Sequence, residues 1–159
     1  MPITLESIQA KQDELAAMIA ALQGQVKFEA MFPIEVSAPQ LQPGEKWACT
    51  LLCEDGKTKY HLILLPGDSD SAEWQEQMDW AVEQGGDLPD CVEQAVLFKY
   101  LPDEFKKEAY WSNTQHATDA GYAWYQNFSY GTQGINRKFT ALRARAVRRI
   151  PVSDRHGND

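Results

Sequence analysis

Apolar positions recur along this chain with two different periods, and the changes from one to the other mark out its elements. Between residues 4 and 26, Leu5, Ile8, Leu15, Ile19, Leu22 and Val26 follow one another at spacings of three and four, with Gln12 at the one seam position that is not apolar. That is a heptad stripe, and it predicts a helix over 4–26 that Thr4 can cap. A helix of this length is marginal alone in water, so the stripe needs a partner. One solution packs it on its own domain; the other is a short parallel coiled coil in which Gln12 fixes the register. The narrowness of the stripe and the tether-like segment after it favour self-association.

Residues 27–45 contain Pro33, Pro39 and Pro43, which forbid a continuous helix, while Phe32, Ile34 and Val36 alternate as in a short extended stretch. This segment is expected to be a connector. Two alternating apolar runs then flank Asp55-Gly56, the dipeptide favoured in tight hairpins. Helical spacing returns with Trp74, Met78, Ala81 and Val82, and stops at Gly85-Gly86. A second helix is predicted behind the capping pair Asp90 and Glu93, with Val92, Ala95, Val96 and Leu97 as its apolar surface and Pro102 closing it. Alternation resumes in "AYWSN", "YAWYQNFSYG" and "ALRARAVRRI". Hairpin, two helices, then further strands is an α+β order.

Composition narrows the picture. The 159 residues, 43% of them hydrophobic, suffice for one globular domain with an appendage. No long apolar run and no basic-then-apolar amino terminus occurs, so the expectation is synthesis in the cytoplasm without a signal peptide and no membrane insertion. A net charge of −8 argues against nucleic acid as a partner. The charge is uneven: residues 66–109 carry twelve acids and three lysines, whereas 137–149 carry six basic residues and no acid. Self-complementarity is the expected explanation, with Arg143 and Arg145 sharing a face of a closing strand and paired with carboxylates.

The candidate chemistry is sparse. Three cysteines argue against a disulfide framework. Cys49 and Cys53 have zinc-like spacing, but they sit in a predicted strand on the face of Trp47 and Leu51, and no second ligand pair completes a site. Asp68 and Asp70 lack the glycine and terminal glutamate of a calcium loop, and Asp70 or Ser71 is explained by helix capping. His61, His116 and His156 are isolated, and no nucleophile motif or phosphate loop is present. Neither catalysis nor a cofactor is expected. Residues 122–139, with six aromatic side chains among small polar ones, are different. Period two puts Trp124, Gln126 and Phe128 on one face, expected to be core, with Gln126 in need of internal hydrogen bonds. The other face holds Tyr125, Asn127 and Ser129 and continues through Tyr130, Thr132, Gln133 and Asn136. That mixture is one binding surfaces use; an ordinary solvated strand would also have it.

Taken in order, Trp74 and Trp80, "GGDLPDCVEQAVLF", "YWSNTQH", "AWYQNFSYG" and "RARAVRR" resemble the Lcl carboxy-terminal-domain family over residues 44–150. These bacterial and phage domains are C-type-lectin-like, and related ones are the variable receptor-binding proteins of diversity-generating retroelements. The resemblance implies a small antiparallel core with two flanking helices, a trimer in many members, and binding of carbohydrate, glycosaminoglycan or protein. Asp90-Cys91 stand where the family commonly has threonine and arginine, and the calcium signatures of true C-type lectins are missing. The expected organisation is an oligomerisation helix at 1–26, a connector at 27–45, a C-type-lectin-like domain at 46–150 and a polar tail at 151–159. The expected function is ligand binding or adhesion on a phage virion through Tyr125, Asn127, Ser129, Tyr130, Thr132, Gln133 and Asn136. Two alternatives stay open: a structural virion subunit that contacts other virion proteins, and a cytoplasmic phage protein that binds a host protein.

Overall fold

Helix α1 spans Leu5–Met31 in the computed structural model, which describes residues 4–31 and 37–152 and, within 24–31, the backbone alone. Thr4 caps α1 as expected, its Oγ1 accepting from the Ser7 amide at 3.3 Å. The helix runs five residues beyond the predicted end at Val26, because the first proline able to stop it is Pro33. The extended stretch expected around Phe32, Ile34 and Val36 lies outside the described residues, as do His156 and the rest of the tail after Val152. Among the described residues no helix is long and apolar enough to cross a membrane. The chain divides into two units, residues 1–37 and 38–159.

The second unit is α+β. Strands β1 (Lys46–Leu52), β2 (Lys59–Leu64) and β6 (Val147–Val152) form one antiparallel sheet in the order β1-β2-β6. Strands β3 (Ala109–Gln115), β4 (Tyr122–Asn127) and β5 (Gln133–Arg137) form another in the order β3-β4-β5. Between them in sequence come α2 (Trp74–Glu83), α3 (Cys91–Tyr100) and a single 3₁₀ turn at Pro102–Glu104.

The β1–β2 hairpin forms around Asp55-Gly56, with a wider turn than the dipeptide implies. Cys53 and Thr58 close it through the Cys53 amide and the Thr58 carbonyl, and Asp55 Oδ1 accepts from the amides of Lys57 and Thr58. Gly56 supplies the positive φ of 67°. A bulge between Trp47 and Cys49 reverses the side-chain parity in β1. Trp47 therefore stands over His61, at 5.2 Å between ring centroids, while Cys49 and Leu51 face the core. The expectation that Trp47 shares a face with the cysteines fails for that reason.

Helix α2 ends where the sequence predicts. Gly85 donates to the Val82 carbonyl and Gly86 to that of Ala81, the paired bonds of a Schellman cap. Its start differs, with Glu73 at the N-cap rather than Asp70 or Ser71, and Glu76 accepting from the Glu73 amide. The inward faces of both helices are also more polar than predicted. Val82 and Val92 are 69% and 64% exposed and Ala95 is exposed, whereas Gln77, Glu93 and Gln94 are buried. These helices pack against bare backbone as well as side chains, and buried carbonyls need donors. Gln77 donates to the carbonyls of Asp70 and Leu142, and Gln94 to those of Tyr110 and Trp111.

Two apolar clusters lie on opposite sides of the β3-β4-β5 sheet. One joins Trp111 and Ala123 to Leu65, Trp74, Ala81 and Leu88, with Tyr125 packed against it; the other joins Tyr110 and Phe128 to Leu62, Leu64, Leu97 and Phe105. The predicted closing strand is shorter than the alternation of residues 141–150. Residues 142–146 form an irregular crossing segment between the loop at 65–72 and β3, held by the pairs Leu65–Ala146, Ser69–Ala144 and Trp111–Arg143. Ala144 and Ala146 are fully buried there. Arg143 pairs with Glu108 and Asp68 as expected. Among the described residues Arg145 pairs with no carboxylate: its guanidinium donates to the carbonyls of Glu104 and Leu65 over the ring of Phe105.

Candidate functional site

The β4–β5 hairpin holds the residues that the sequence nominates, and it divides them by role. Tyr125 is half-buried, edge-on to Trp111, and lies across Gly134, where a Cβ would come within 3.0 Å of its hydroxyl. Trp124, expected in the core, is partly exposed and stacks on His116 at 6.2 Å. Both inversions follow from a sheet packed on both faces, where alternation no longer separates inside from outside. Phe128 is core as expected, and Gln126 is buried, but neither polar atom of Gln126 has a hydrogen-bond partner among the described residues.

Three nominated side chains support turns: Asn127 and Ser129 the one between β4 and β5, Asn136 the one after β5. Asn127 Oδ1 accepts from the amides of Ser129, at 2.8 Å, and Tyr130, at 3.3 Å; Ser129 Oγ donates to the Lys107 carbonyl at 2.6 Å; Asn136 Oδ1 accepts from the Arg137 amide and Thr140 Oγ1. Gly131, at φ 75°, completes the turn against Phe98, whose ring would lie 2.5 Å from any Cβ there. Gln133 is exposed and ties the strand to α3 through its amide on the Cys91 carbonyl. Tyr130, 81% exposed, and Thr132 are left free at the tip.

Beside them, β5 is a sheet edge. The Asn127 amide bonds the Thr132 carbonyl and the Lys138 amide bonds that of Gly121, so antiparallel alternation turns the backbone N–H and C=O of Gln133 and Ile135 away from β4. Ile135 is 42% exposed on that edge. The surface brought together is thus Tyr130, Thr132, Gln133 and Ile135, with Ile135 absent from the sequence-based set.

A second concavity has no counterpart in the sequence reading. Strands β1, β2 and β6 extend past the first turn of α3, leaving the row Leu51, Tyr60 and Pro151 uncovered on the helix-facing side of their sheet. The result is a groove of about 740 Å³, with Leu52, Val92 and Val152 also along its walls and Glu54, Lys59, Asp90 and Asn113 around it. At its inner end Glu93, fully buried, is saturated: Oε1 accepts from Tyr60 Oη and Arg149 Nε, Oε2 from the Asp90 amide and Arg149 Nη2. Arg149 also donates to Asp87, which takes a further bond from Asn113. Burial and the neighbouring Glu93 carboxylate raise the pKa of the Tyr60 phenol, and the bond to Glu93 raises that of Arg149. Among the described residues no group of three or more His, Cys, Asp or Glu side chains is placed to hold a metal ion.

No family model matches the chain, and no curated protein matches it either.

Proposed function

We propose that this chain is a non-catalytic recognition protein: a C-type-lectin-like domain that binds a carbohydrate or protein ligand through the tip and edge of its β4–β5 hairpin, with α1 gathering copies into a homo-oligomer, a trimer by the family resemblance. The observation that carries this reading is the mounting of Tyr130. An aromatic side chain 81% exposed would be free to wave on an ordinary loop, yet this one stands on a turn fixed by Asn127, Gly131 and Phe98, beside an open strand edge. A tyrosine carried on a fixed backbone gives contact area at small entropic loss, and an open edge offers main-chain hydrogen bonds to an extended segment of a protein ligand.

The groove at α3 supports a binding role in another way. Its most deeply buried carboxylate, that of Glu93, has every hydrogen-bonding direction committed, which suits architecture better than proton transfer. The ligand surface combined with an oligomerising helix fits a host-recognition component of a phage virion. Fractionation tests that placement. The expected result is that purified particles contain the protein and that particles assembled without it fail to adsorb to host cells. Particles that adsorb normally without it would assign it a structural place on the virion, and its absence from particles would overturn the placement.

A further inference from the structure

We propose that the groove between the ends of β1, β2 and β6 and the first turn of α3 binds a primary ammonium group carried on an aliphatic stem. This site is separate from the hairpin surface, and neither depends on the other.

Shape gives the stem. Leu51, Leu52, Val92, Pro151 and Val152 make an apolar channel, and Leu52 and Val92 are 55% and 64% exposed. Its volume of about 740 Å³ lies within the range of small-molecule sites. An occupant with an unbranched alkyl chain removes those walls from water.

Charge gives the head group. The acids around the groove are Glu54 after β1, Asp87 before α3, and Asp90 and Glu93 at the start of α3; the cations are Lys59 on β2 and Arg149 on β6. Arg149 is already committed to Glu93 and Asp87. Asp90 caps α3 through its Oδ1 on the Glu93 amide, and it forms no ion pair with any described residue. Four acids against two cations, Lys59 included, leave the balance around Asp90 negative. Consistent with this, burial first and the Glu93 charge second hold the Asp90 carboxyl above its ordinary range, despite the Arg149 charge and the cap bonds. A compact ammonium at Asp90 relieves that potential with short charge-assisted bonds, whereas a carboxylate at the same place adds to it.

The test is amide chemical-shift titration of the full-length chain with hexylammonium, hexanol, hexanoate and Nα-acetyl-lysine methylamide. Hexylammonium is expected to saturate in the low-millimolar range, about what seven heavy atoms can give, with the largest shifts at residues 51–54 and 90–93. Hexanol should bind more weakly and hexanoate least. Asp90→Asn keeps a good N-cap and is expected to weaken hexylammonium about tenfold; Glu54→Gln, farther along the groove, should weaken it less. Tighter binding of the lysine derivative than of hexylammonium points to a peptide source of the ammonium, weaker binding to a free amine. Equal binding of hexanoate, unchanged affinity in Asp90→Asn, or no shifts at 51–54 and 90–93 overturns the proposal.

Discussion

Glu93, in the first turn of α3, grips Arg149 of the last strand through two parallel hydrogen bonds of 2.7 Å, Nε to Oε1 and Nη2 to Oε2. The pair joins the end of the chain to the helix that covers its sheet, and Tyr60 and the Asp90 amide fill the remaining acceptor directions. Removing Arg149 leaves the fully buried Glu93 carboxylate without its cation, and Arg149→Ala is expected to cost about 3–5 kcal/mol in urea unfolding. The double replacement Glu93→Leu with Arg149→Met should cost far less than the sum of the two single ones, because no orphaned charge remains.

Two glycines separate steric need from backbone need. A Cβ at Gly86 would come within 2.3 Å of the Val147 carbonyl oxygen, in backbone fixed by paired bonds between Asp87 and Val147. Gly56 has open space around it but a φ of 67°. Gly86→Ala should therefore lose about 3 kcal/mol or more, as in overpacked sites, and Gly56→Ala about 1 kcal/mol of left-handed strain. Differential scanning calorimetry of the two variants gives the comparison.

Acid should weaken the fold through one carboxylate and relieve it through another. The Arg148 guanidinium, bonded to Glu45 at 2.6 and 2.7 Å, holds the Glu45 carboxyl below its ordinary value of 4.5 despite burial. Its stabilisation is complete above about that pH and is lost as pH falls through the lowered folded value. Asp90 has the opposite sign. Its folded pKa lies above the ordinary 3.8, so ionisation opposes folding, and stability falls as pH rises through the window above that value. In melting curves from pH 3 to 7, Glu45→Gln should flatten the acid loss. Asp90→Asn should raise the melting temperature at pH 7 and lose that advantage near pH 3.

The local elements were open to sequence reasoning because each has a local cause: Asp55-Gly56 in the hairpin, Asp90 with Glu93 at α3, Gly85-Gly86 after α2. Facing was harder. Nothing in "YAWYQNF" announces that clusters lie on both sides of the sheet, so Trp124 and Tyr125 are both partly buried instead of one inside and one outside. Likewise the bulge before Cys49 carries no glycine or other marker in the sequence. The buried amides of Gln77 and Gln94 answer carbonyls from segments distant in sequence, which helical periodicity does not register. The groove is equally nonlocal, assembled from a hairpin end, a helix start and the final strand. The pairing of the basic run with the acidic region, legible from charge alone, holds at Arg143 and Arg149; Arg148 pairs with Glu45 instead, and Arg137, Lys138 and Arg145 bond neutral groups.

Helix α1 leaves Leu5, Ile8, Leu15, Met18, Ile19 and Leu22 between 46% and 83% exposed, an apolar strip in search of a partner. In parallel register Gln12 meets Gln12 of the next copy and the amides can bond one another; antiparallel packing sets it against apolar side chains. Light scattering should report a multiple of 18.0 kDa for the full chain. Leu15→Asp with Ile19→Asp should give a monomer whose near-ultraviolet dichroism is unchanged, since all five tryptophans lie in the second unit.

The most direct test of the recognition account is adhesion of fluorescently labelled protein to candidate host bacteria, comparing the wild type with Tyr130→Ala combined with Thr132→Ala. Both side chains project from the turn without supporting it, so the tryptophan dichroism should not change while retention on cells falls at least about tenfold, the loss of an aromatic anchor. Undiminished retention by a folded variant would contradict the assignment of the hairpin tip as the binding surface.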